Sequence, residues 1–376
     1  MRGLSLSELA TDITSLEDEP AVIGDISISI DPKIPQSIPS AITQPKKAFS
    51  LLQLIPKAKN VSRDVCMSEF TGMRHLADGT NANVFLVQWR DSLCVLKMIR
   101  EEKQHDPVAL HEFEMELGLL ERIDHPNVVN ILGRELSPHL IKSAQSSFVG
   151  AGSTPRVFLV LEFLSGGTMK RILSEAERRS PLLRLLFPKP AFTFKGALLR
   201  GREMALGLQY LHSALCRTAV FVHRDLKPDN IAFNASGCLV LFDLGLSTLV
   251  ARSQTEDDTY SMTGQTGSLR YMAPEVMLCR EYNEKVDVYS FAVILWQMAT
   301  GKIPYDGATK DEFIKFVGKK GYRPELSNHW PKSFKDLLVA CWNPDFILRP
   351  AFGAVVGVLD RLILEEAQKV DSACLA

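Results

Sequence analysis

His223-Arg224-Asp225-Leu226-Lys227-Pro228-Asp229-Asn230 is the stretch on which the reading of this chain turns. It crowds cations, carboxylates and an amide into a few adjacent positions, and two short apolar runs follow it at once. These are Ile231-Ala232-Phe233-Asn234 and Cys238-Leu239-Val240-Leu241-Phe242, joined across Ala235-Ser236-Gly237. Runs joined by so short a glycine-containing link are expected to pair as a hairpin. Pairing brings Asn230 and Asp243 together at the open end, on strands about 4.8 Å apart. An amide and a carboxylate then meet at one spot, directly beside the charged stretch.

Working outward, the texture differs on the two sides. Towards the N-terminus, residues 84–89 and 94–99 read as strands around a turn at Asp91 and Ser92. Residues 106–122 carry helical spacing, with Leu110, Phe113, Leu117 and Leu120 on one face and Pro126 just past the end. Residues 128–132 and 157–163 read as further strands. The serine-, glycine- and alanine-rich stretch 143–155 between them reads as a mobile insertion. Beyond Gly166 the pattern turns helical. Residues 194–213 are amphipathic, and residues 285–300 are apolar almost all the way round, which predicts a helix buried on most sides. A second insertion, 180–190, is basic and punctuated by proline. A strand-rich part followed by a helix-rich part predicts two lobes and a cleft, and clefts between lobes hold ligands.

Composition narrows the function classes. The formal net charge is −1, from 43 basic and 44 acidic residues, which gives no electrostatic reason for a nucleic-acid or membrane-surface partner. No apolar run approaches the length of a bilayer-spanning helix. The 7 cysteines include no CxxC pair, so reduced thiols are expected and a zinc site is not. The first residues are acid-rich (Glu8, Asp12, Glu17, Asp18, Glu19), the opposite of a targeting peptide, which makes the cytoplasm the default and leaves the nucleus open. Residues 1–65 read as an irregular arm, with Pro32, Pro35, Pro39 and Pro45 forbidding a long helix. The apolar patch 49–55 is able to dock as a single turn.

In that setting the stretch 223–230 resembles the catalytic loop of the eukaryotic protein kinases, over roughly residues 70–363. The resemblance implies an α+β, bilobal protein kinase fold: a small antiparallel-sheet N-lobe with one helix, and a larger, mostly helical C-lobe. It sets a kinase domain at 66–363, divided near 164, and a tail at 364–376. It further implies ATP and Mg2+ as cofactors and a protein serine or threonine as acceptor, with an upstream activating kinase as a further partner. Carried over motif by motif, Asp225 would take the proton of the attacking hydroxyl and Lys227 would neutralise γ-phosphate oxygens. Asn230 and Asp243 would hold magnesium. Asp243-Leu244-Gly245 is similar to the family's DFG, with leucine for phenylalanine. Cys94-Val95-Leu96-Lys97 resembles VAIK, which puts Val95 over the adenine and Lys97 on the α- and β-phosphates.

The helix partner of Lys97 is expected to be Glu116. Glu112 and Glu114 compete, but Glu114 is turned about 200° away and Glu112 lies one turn further off. Leu161-Glu162-Phe163-Leu164 would be the hinge, with Leu161 as gatekeeper and the backbone of Glu162 and Leu164 facing adenine. Leu76 through Val84, with Gly79, aligns with the glycine-rich loop. Residues 243–275 bound an activation segment in which the Ser268 hydroxyl would tie Asp225 to Lys227. Thr255, Thr259, Tyr260, Ser261, Thr263 and Thr266 are its candidate phosphate acceptors, with Arg224 as the phosphate's partner. His223, Glu275, Asp287 and Arg349 complete the scaffold, with Asp287 bracing the catalytic loop and Arg349 pairing with Glu275. The wording of 287–305 and 340–352 is closest to the tyrosine-kinase-like group, whereas Lys227 points to serine/threonine specificity.

Singly, most of these residues have ordinary readings: Lys97 as a strand charge, Gly79 as a turn residue, Glu116 as a helix-surface carboxylate. Their order along the chain is what carries the assignment. The departures are Ala77 and Ala82, where the family has glycine, and Leu244. Glycine lets backbone approach phosphate closely, so weaker ATP binding or a shifted loop is expected, not loss of activity. The same departures are the support for an alternative, a pseudokinase-type scaffold. A dual-specificity kinase is the other alternative.

Overall fold

The computed structural model describes residues 51–53, 55, 57–58, 63–135, 157–177, 191–252, 259–260, 262, 264 and 267–374. The insertions at 143–155 and 180–190 and most of the N-terminal arm lie outside the described residues, as do Thr255, Ser261, Thr263 and Thr266.

The first half builds a six-stranded sheet in the order β1-β5-β6-β4-β3-β2. Its strands are β1 (Arg63–Asp64), β2 (Phe70–Asp78), β3 (Ala82–Trp89), β4 (Ser92–Ile99), β5 (Ile131–Glu135) and β6 (Phe158–Glu162). All neighbours run antiparallel except β1, which lies parallel to β5 and adds an edge that sequence reading did not foresee. Side chains alternate across a strand, and β4 shows the consequence. Cys94 and Leu96 are buried on one face with Val65, Val87, Trp89, Phe158 and Val160. Val95 and Lys97 therefore belong to the opposite face.

Helix α1 (Pro107–Leu120) starts where Asp106 accepts from the backbone amides of Val108 (3.0 Å) and Ala109 (3.4 Å), with proline in its first turn. Its buried stripe is Ala109, Phe113, Glu116, Leu117 and Leu120, with Leu119 beside it. A carboxylate thus sits within an apolar stripe, an arrangement that demands a partner.

The strand expected at 128–132 is found at Ile131–Glu135. The start of that apolar run is drawn to the other lobe instead. Val128 bridges Leu241, the Val129 amide donates to the Leu241 carbonyl at 2.9 Å, and the Leu241 amide donates to the Asn127 carbonyl at 2.9 Å.

The second half is mainly helical: α2 (Met169–Glu177), α3 (Phe194–Gln209), α4 (Lys285–Thr300), α5 (Lys332–Cys341) and α6 (Phe352–Cys374). α3 runs on into a π-helical turn, Tyr210–Ala214. α4 is buried from Lys285 to Met298 and ends at Gly301, whose φ of +68° suits a left-handed cap. Gly201 of α3 permits the close approach of α4, since a Cβ there would lie 2.7 Å from Leu295 Cδ1. Short strands line the lobe's upper edge. β7 (Gly167–Thr168) joins the hairpin β9 (Ile231–Phe233) and β10 (Leu239–Leu241), and β8 (Ala219–Val222) pairs with β11 (Thr248–Ala251). Among the described residues, no helix is long and apolar enough to cross a membrane.

One buried ion pair ties the far end of this lobe. Arg349, 1% exposed, sends Nη1 and Nη2 to the two oxygens of Glu275 at 2.6 and 2.9 Å. Its remaining donors reach the carbonyls of Lys285 (3.1 Å) and Asn343 (2.9 Å), and it lies over the Tyr289 ring. Such a pair holds its place only when every donor is satisfied, and removing one partner strands a buried charge. Arg349→Ala should therefore lower unfolding stability by about 3–5 kcal/mol, as measured by urea denaturation, whereas loss of an exposed pair such as Lys332–Asp336 should cost under about 1 kcal/mol.

Candidate active site

The site is assembled from short, separate pieces, and a single carboxylate suspends the first. Asp287, at the start of α4 and 1% exposed, accepts from the backbone amides of His223 (2.8 Å) and Arg224 (2.9 Å) and contacts His212 Nε2 at 2.9 Å. Burial pushes its carboxyl up, but the His212 ring and the donated amides outweigh burial and hold it below the usual carboxylate range. Arg224 is left in the left-handed region at φ +66°. A non-glycine residue is held there only when its surroundings over-determine it, and the two amide bonds to Asp287 do so. His212 carries no signal in the sequence that would have singled it out.

Asp225 follows, almost buried, with both oxygens engaged. Oδ1 accepts from the Ser268 backbone amide at 2.9 Å. Oδ2 accepts from Asn230 Nδ2 at 3.1 Å and lies 3.1 Å from Lys227 Nζ. Ser268 thus reaches Asp225 through its amide and not, as expected, through its hydroxyl. The reason is the turn before it. Gly267 has φ +98°, and a Cβ there would lie 2.5 Å from the Arg224 carbonyl oxygen, so the chain passes the catalytic loop backbone to backbone.

The hairpin forms, with Leu239 opposite Phe233 and Leu241 opposite Ile231. Its open end continues with the Phe242 amide donating to the Asn230 carbonyl at 3.0 Å. Asn127 Nδ2 and Glu203 Oε2 secure β10 from outside, through the Leu239 carbonyl (2.8 Å) and amide (2.9 Å). Asp243 comes next, again left-handed, at φ +58°. Leu244 is buried (2%).

Asp243 turns towards the sheet, where Lys97 Nζ stands 3.3 Å from its Oδ1 and 2.7 and 2.8 Å from the two oxygens of Glu116. Burial works to lower the Lys97 pKa, but the Glu116 and Asp243 carboxylates together outweigh it and raise it above the ordinary lysine value. The same ammonium holds the Asp243 carboxyl below its ordinary value. Of the competing helix carboxylates, Glu112 accepts from Asn81 Nδ2 at 2.7 Å, at the tip of the β2–β3 hairpin.

That hairpin is the segment aligned with the glycine-rich loop. The Gly79 amide donates to the Ala82 carbonyl at 2.8 Å, and Arg100 Nη1 donates to the Gly79 carbonyl at 3.0 Å. Val84 lies opposite Lys97 in the ladder, and Val95 opposite Leu161. Leu76 is 40% exposed. At the hinge, Glu162 is tied to Asn130 by its amide (3.1 Å) and its side chain (2.8 Å), and the Leu164 carbonyl accepts from Gly167 at 3.1 Å. Thr259 donates to Glu281 Oε2 at 2.8 Å.

Hydrogen bonds thus run from Glu116 through Lys97 to Asp243, and from Asn230 to Asp225 with its neighbours Lys227 and Ser268; the two sets join through Phe242, which precedes Asp243 and whose amide donates to the Asn230 carbonyl. A family model described as protein tyrosine and serine/threonine kinase matches residues 70–359. The chain belongs to that kinase family. Among its relatives, the serine/threonine-protein kinase VIK of Arabidopsis thaliana is 31% identical over 82% of this chain and 63% of its own length. The dual specificity protein kinase shkA of Dictyostelium discoideum is 30% identical over 80% of this chain and 51% of its own. The mitogen-activated protein kinase kinase kinase 7 of Drosophila melanogaster is 29% identical over 80% and 38%. The chain therefore spans less than two thirds of the length of each of these relatives.

The protein kinase family generally uses ATP and Mg2+, and the donor set here fits that pair. Asn230 and Asp243 offer hard oxygen ligands, and among the described residues no group of three or more His, Cys, Asp or Glu is placed to hold a metal ion. Magnesium is commonly held by one or two carboxylates together with substrate phosphates. The loop supplies a test of how phosphate is met. A Cβ on Gly79 would lie 2.8 Å from the Ala82 carbonyl oxygen, inside an existing hydrogen bond. Gly79→Ala must shift the loop, and a cost of about 1 kcal/mol in ligand contacts would raise the KM for ATP about fivefold. Steady-state kinetics at varied ATP checks this.

Proposed function

We propose that this chain transfers the γ-phosphoryl group of ATP to a serine or threonine hydroxyl of a protein. The observation that carries the reading is the joined run of hydrogen bonds from Glu116 to Ser268. It links an ammonium, amide and carboxylate oxygens of a kind that suits magnesium, and a candidate base from segments far apart in sequence. Phosphoryl transfer asks a protein for little else: an aimed nucleophile, held phosphates and neutralised charge.

When bound, ATP would supply the phosphoryl group, and magnesium held by Asn230 and Asp243 would neutralise its phosphates. Lys97 holds the α- and β-phosphates, kept in place by Glu116. Asn230 and Asp243 hold the metal. Asp225 accepts the hydrogen bond of the acceptor hydroxyl and takes its proton. Its orientation is supported by the Ser268 amide and Asn230. Lys227, near Asp225, meets the γ-phosphate as a compact point charge. Val84, Val95 and Leu161 enclose the adenine, and the backbone of Glu162 and Leu164 bonds it. Serine/threonine preference rests on Lys227 and on the VIK name; the dual-specificity name of shkA keeps tyrosine as a measured outcome.

The rival reading is a folded scaffold that transfers no phosphate, supported by Ala77, Ala82 and Leu244. Radiolabel transfer to a generic protein substrate separates the two, with Asp225→Asn as control. The expected outcome is a loss of at least about 100-fold in the variant, the size of a removed general base. Equal incorporation by both proteins would support the scaffold, and phosphoamino-acid analysis of the product reads the acceptor.

Regulation by phosphorylation of the activation segment belongs to the same proposal. Arg224 Nε donates to the Leu246 carbonyl at 2.7 Å, which sets a cation against the start of that segment. A phosphate on Thr259 would face Glu281, a like charge, and so is the disfavoured choice. Replacing Thr255, Thr259, Tyr260, Ser261, Thr263 and Thr266 together by alanine should lower turnover after incubation with an activating kinase. Unchanged turnover would rule the regulation out.

A further inference from the structure

The apolar patch in the N-terminal arm lies outside the residues matched by the family model, which begins at residue 70. Its described residues are nonetheless packed. Residues 51–53 are helical, the Ile55 amide donates to the Leu52 carbonyl at 3.1 Å, and Leu52 and Ile55 are 2% and 3% exposed. They are buried against the last turns of α1. Gly118 makes the room: a Cβ there would lie 2.4 Å from Leu52 Cδ2. Arg122 donates Nε to the Ile55 carbonyl (2.8 Å) and Nη1 to the Gly118 carbonyl (2.7 Å), stitching the segment to the helix. The Ala58 amide donates to the Glu121 carbonyl at 2.9 Å, and Lys57 pairs with the Glu121 carboxylate at 2.6 Å.

Glu116 and Gly118 are two residues apart, about 200° round the helix. The face that carries Glu116 to Lys97 is therefore roughly opposite the face covered by the segment. The Glu121 carboxylate that holds Lys57 also meets Arg134 of β5 at 2.9 Å, so the segment and the helix end are tied to the sheet together; if α1 breaks these ties and withdraws, it takes Glu116 from Lys97. We propose that Leu52, Ile55 and Lys57 are positioning residues: an intramolecular clamp that keeps α1 where Glu116 reaches Lys97. The role in turnover rests on the kinase reading; the role in holding α1 does not. A partner or modification that removed the segment would lower turnover without touching the nucleotide site.

The test uses full-length protein with Leu52→Ala, Gly118→Ala, the two combined, and Leu52→Ala placed in a Glu116→Gln background. Readouts are kcat and KM for ATP, amide hydrogen exchange in α1 and thermal melting. Truncating a fully buried leucine is expected to lower kcat about tenfold and to speed exchange in α1, by shifting the helix population. Gly118→Ala, which forces Leu52 aside while keeping a good helix former, should do the same. Combined, the two should cost less than the product of the singles, because Leu52→Ala vacates the space that the new methyl needs. In the Glu116→Gln background, Leu52→Ala should change kcat less than about twofold, since its effect travels through Glu116. A merely stabilising role would lower kcat equally in both backgrounds and overturn the proposal. Unchanged α1 exchange in both single variants would also overturn it. A wild-type protein that transfers no phosphate would sink the kinase reading alone, leaving hydrogen exchange to judge the clamp.

Discussion

Lys97 is a cation held away from water, and most of what surrounds it can be understood as the means of keeping it there charged. Its side chain is 17% exposed and that of Glu116 6%. Withdrawing both charges from solvent costs several kcal/mol per ion and is offset only by close, complete pairing. Contact of the ammonium with both Glu116 oxygens and with Asp243 meets that demand. The demand reaches well beyond the pair, because its members ride on β4, on α1 and on the strand end after β10. A shift of any one element breaks the geometry, so sheet, helix and hairpin are positioned together.

Left-handed non-glycine backbone occurs at Arg90, Cys279 and Tyr305 as well as at two residues of the site. Arg224 and Asp243 have left-handed backbones, and Gly267 sits where no side chain fits. Each is a residue or neighbour of the groups assigned to chemistry. The restraint comes from regular, buried structure: Asp287 on the most buried helix, and a hairpin fastened by Asn127 and Glu203. This division follows a general rule that strained segments persist only where rigid surroundings over-determine them.

The parts of this arrangement that were legible in the sequence are those fixed by local pattern. The 285–300 helix announced itself by being apolar all round, and the 231–242 hairpin by two short runs about a glycine turn. The nearness of Asn230 and Asp243 followed from that hairpin alone. What escaped depends on contacts between distant segments. Residues 128–129 look like the start of a strand, yet their backbone is claimed by Leu241. Ser268 looks like a hydroxyl ligand, yet the tight passage at Gly267 presents its amide. Nothing near Leu52 says that Gly118 has left space for it, and His212 gains meaning only from Asp287.

The alanines of the β2–β3 hairpin can be placed against this background. Ala82 is buried and pairs with Ile99, and Ala77 pairs with Val84 directly after a register shift between His75 and Ala77, so both alanines sit in the ladder rather than in the turn. The turn between them is short and restrained by Arg100 on the Gly79 carbonyl and by Asn81 on Glu112. A loop with less freedom of its own has less entropy to lose when it closes over a ligand. The Asn81–Glu112 bond also ties it to the helix. α1 therefore carries Glu116 to the ammonium, Glu112 to the loop tip and Gly118 to the N-terminal segment, and the orientation of this one helix sets all of these contacts at once.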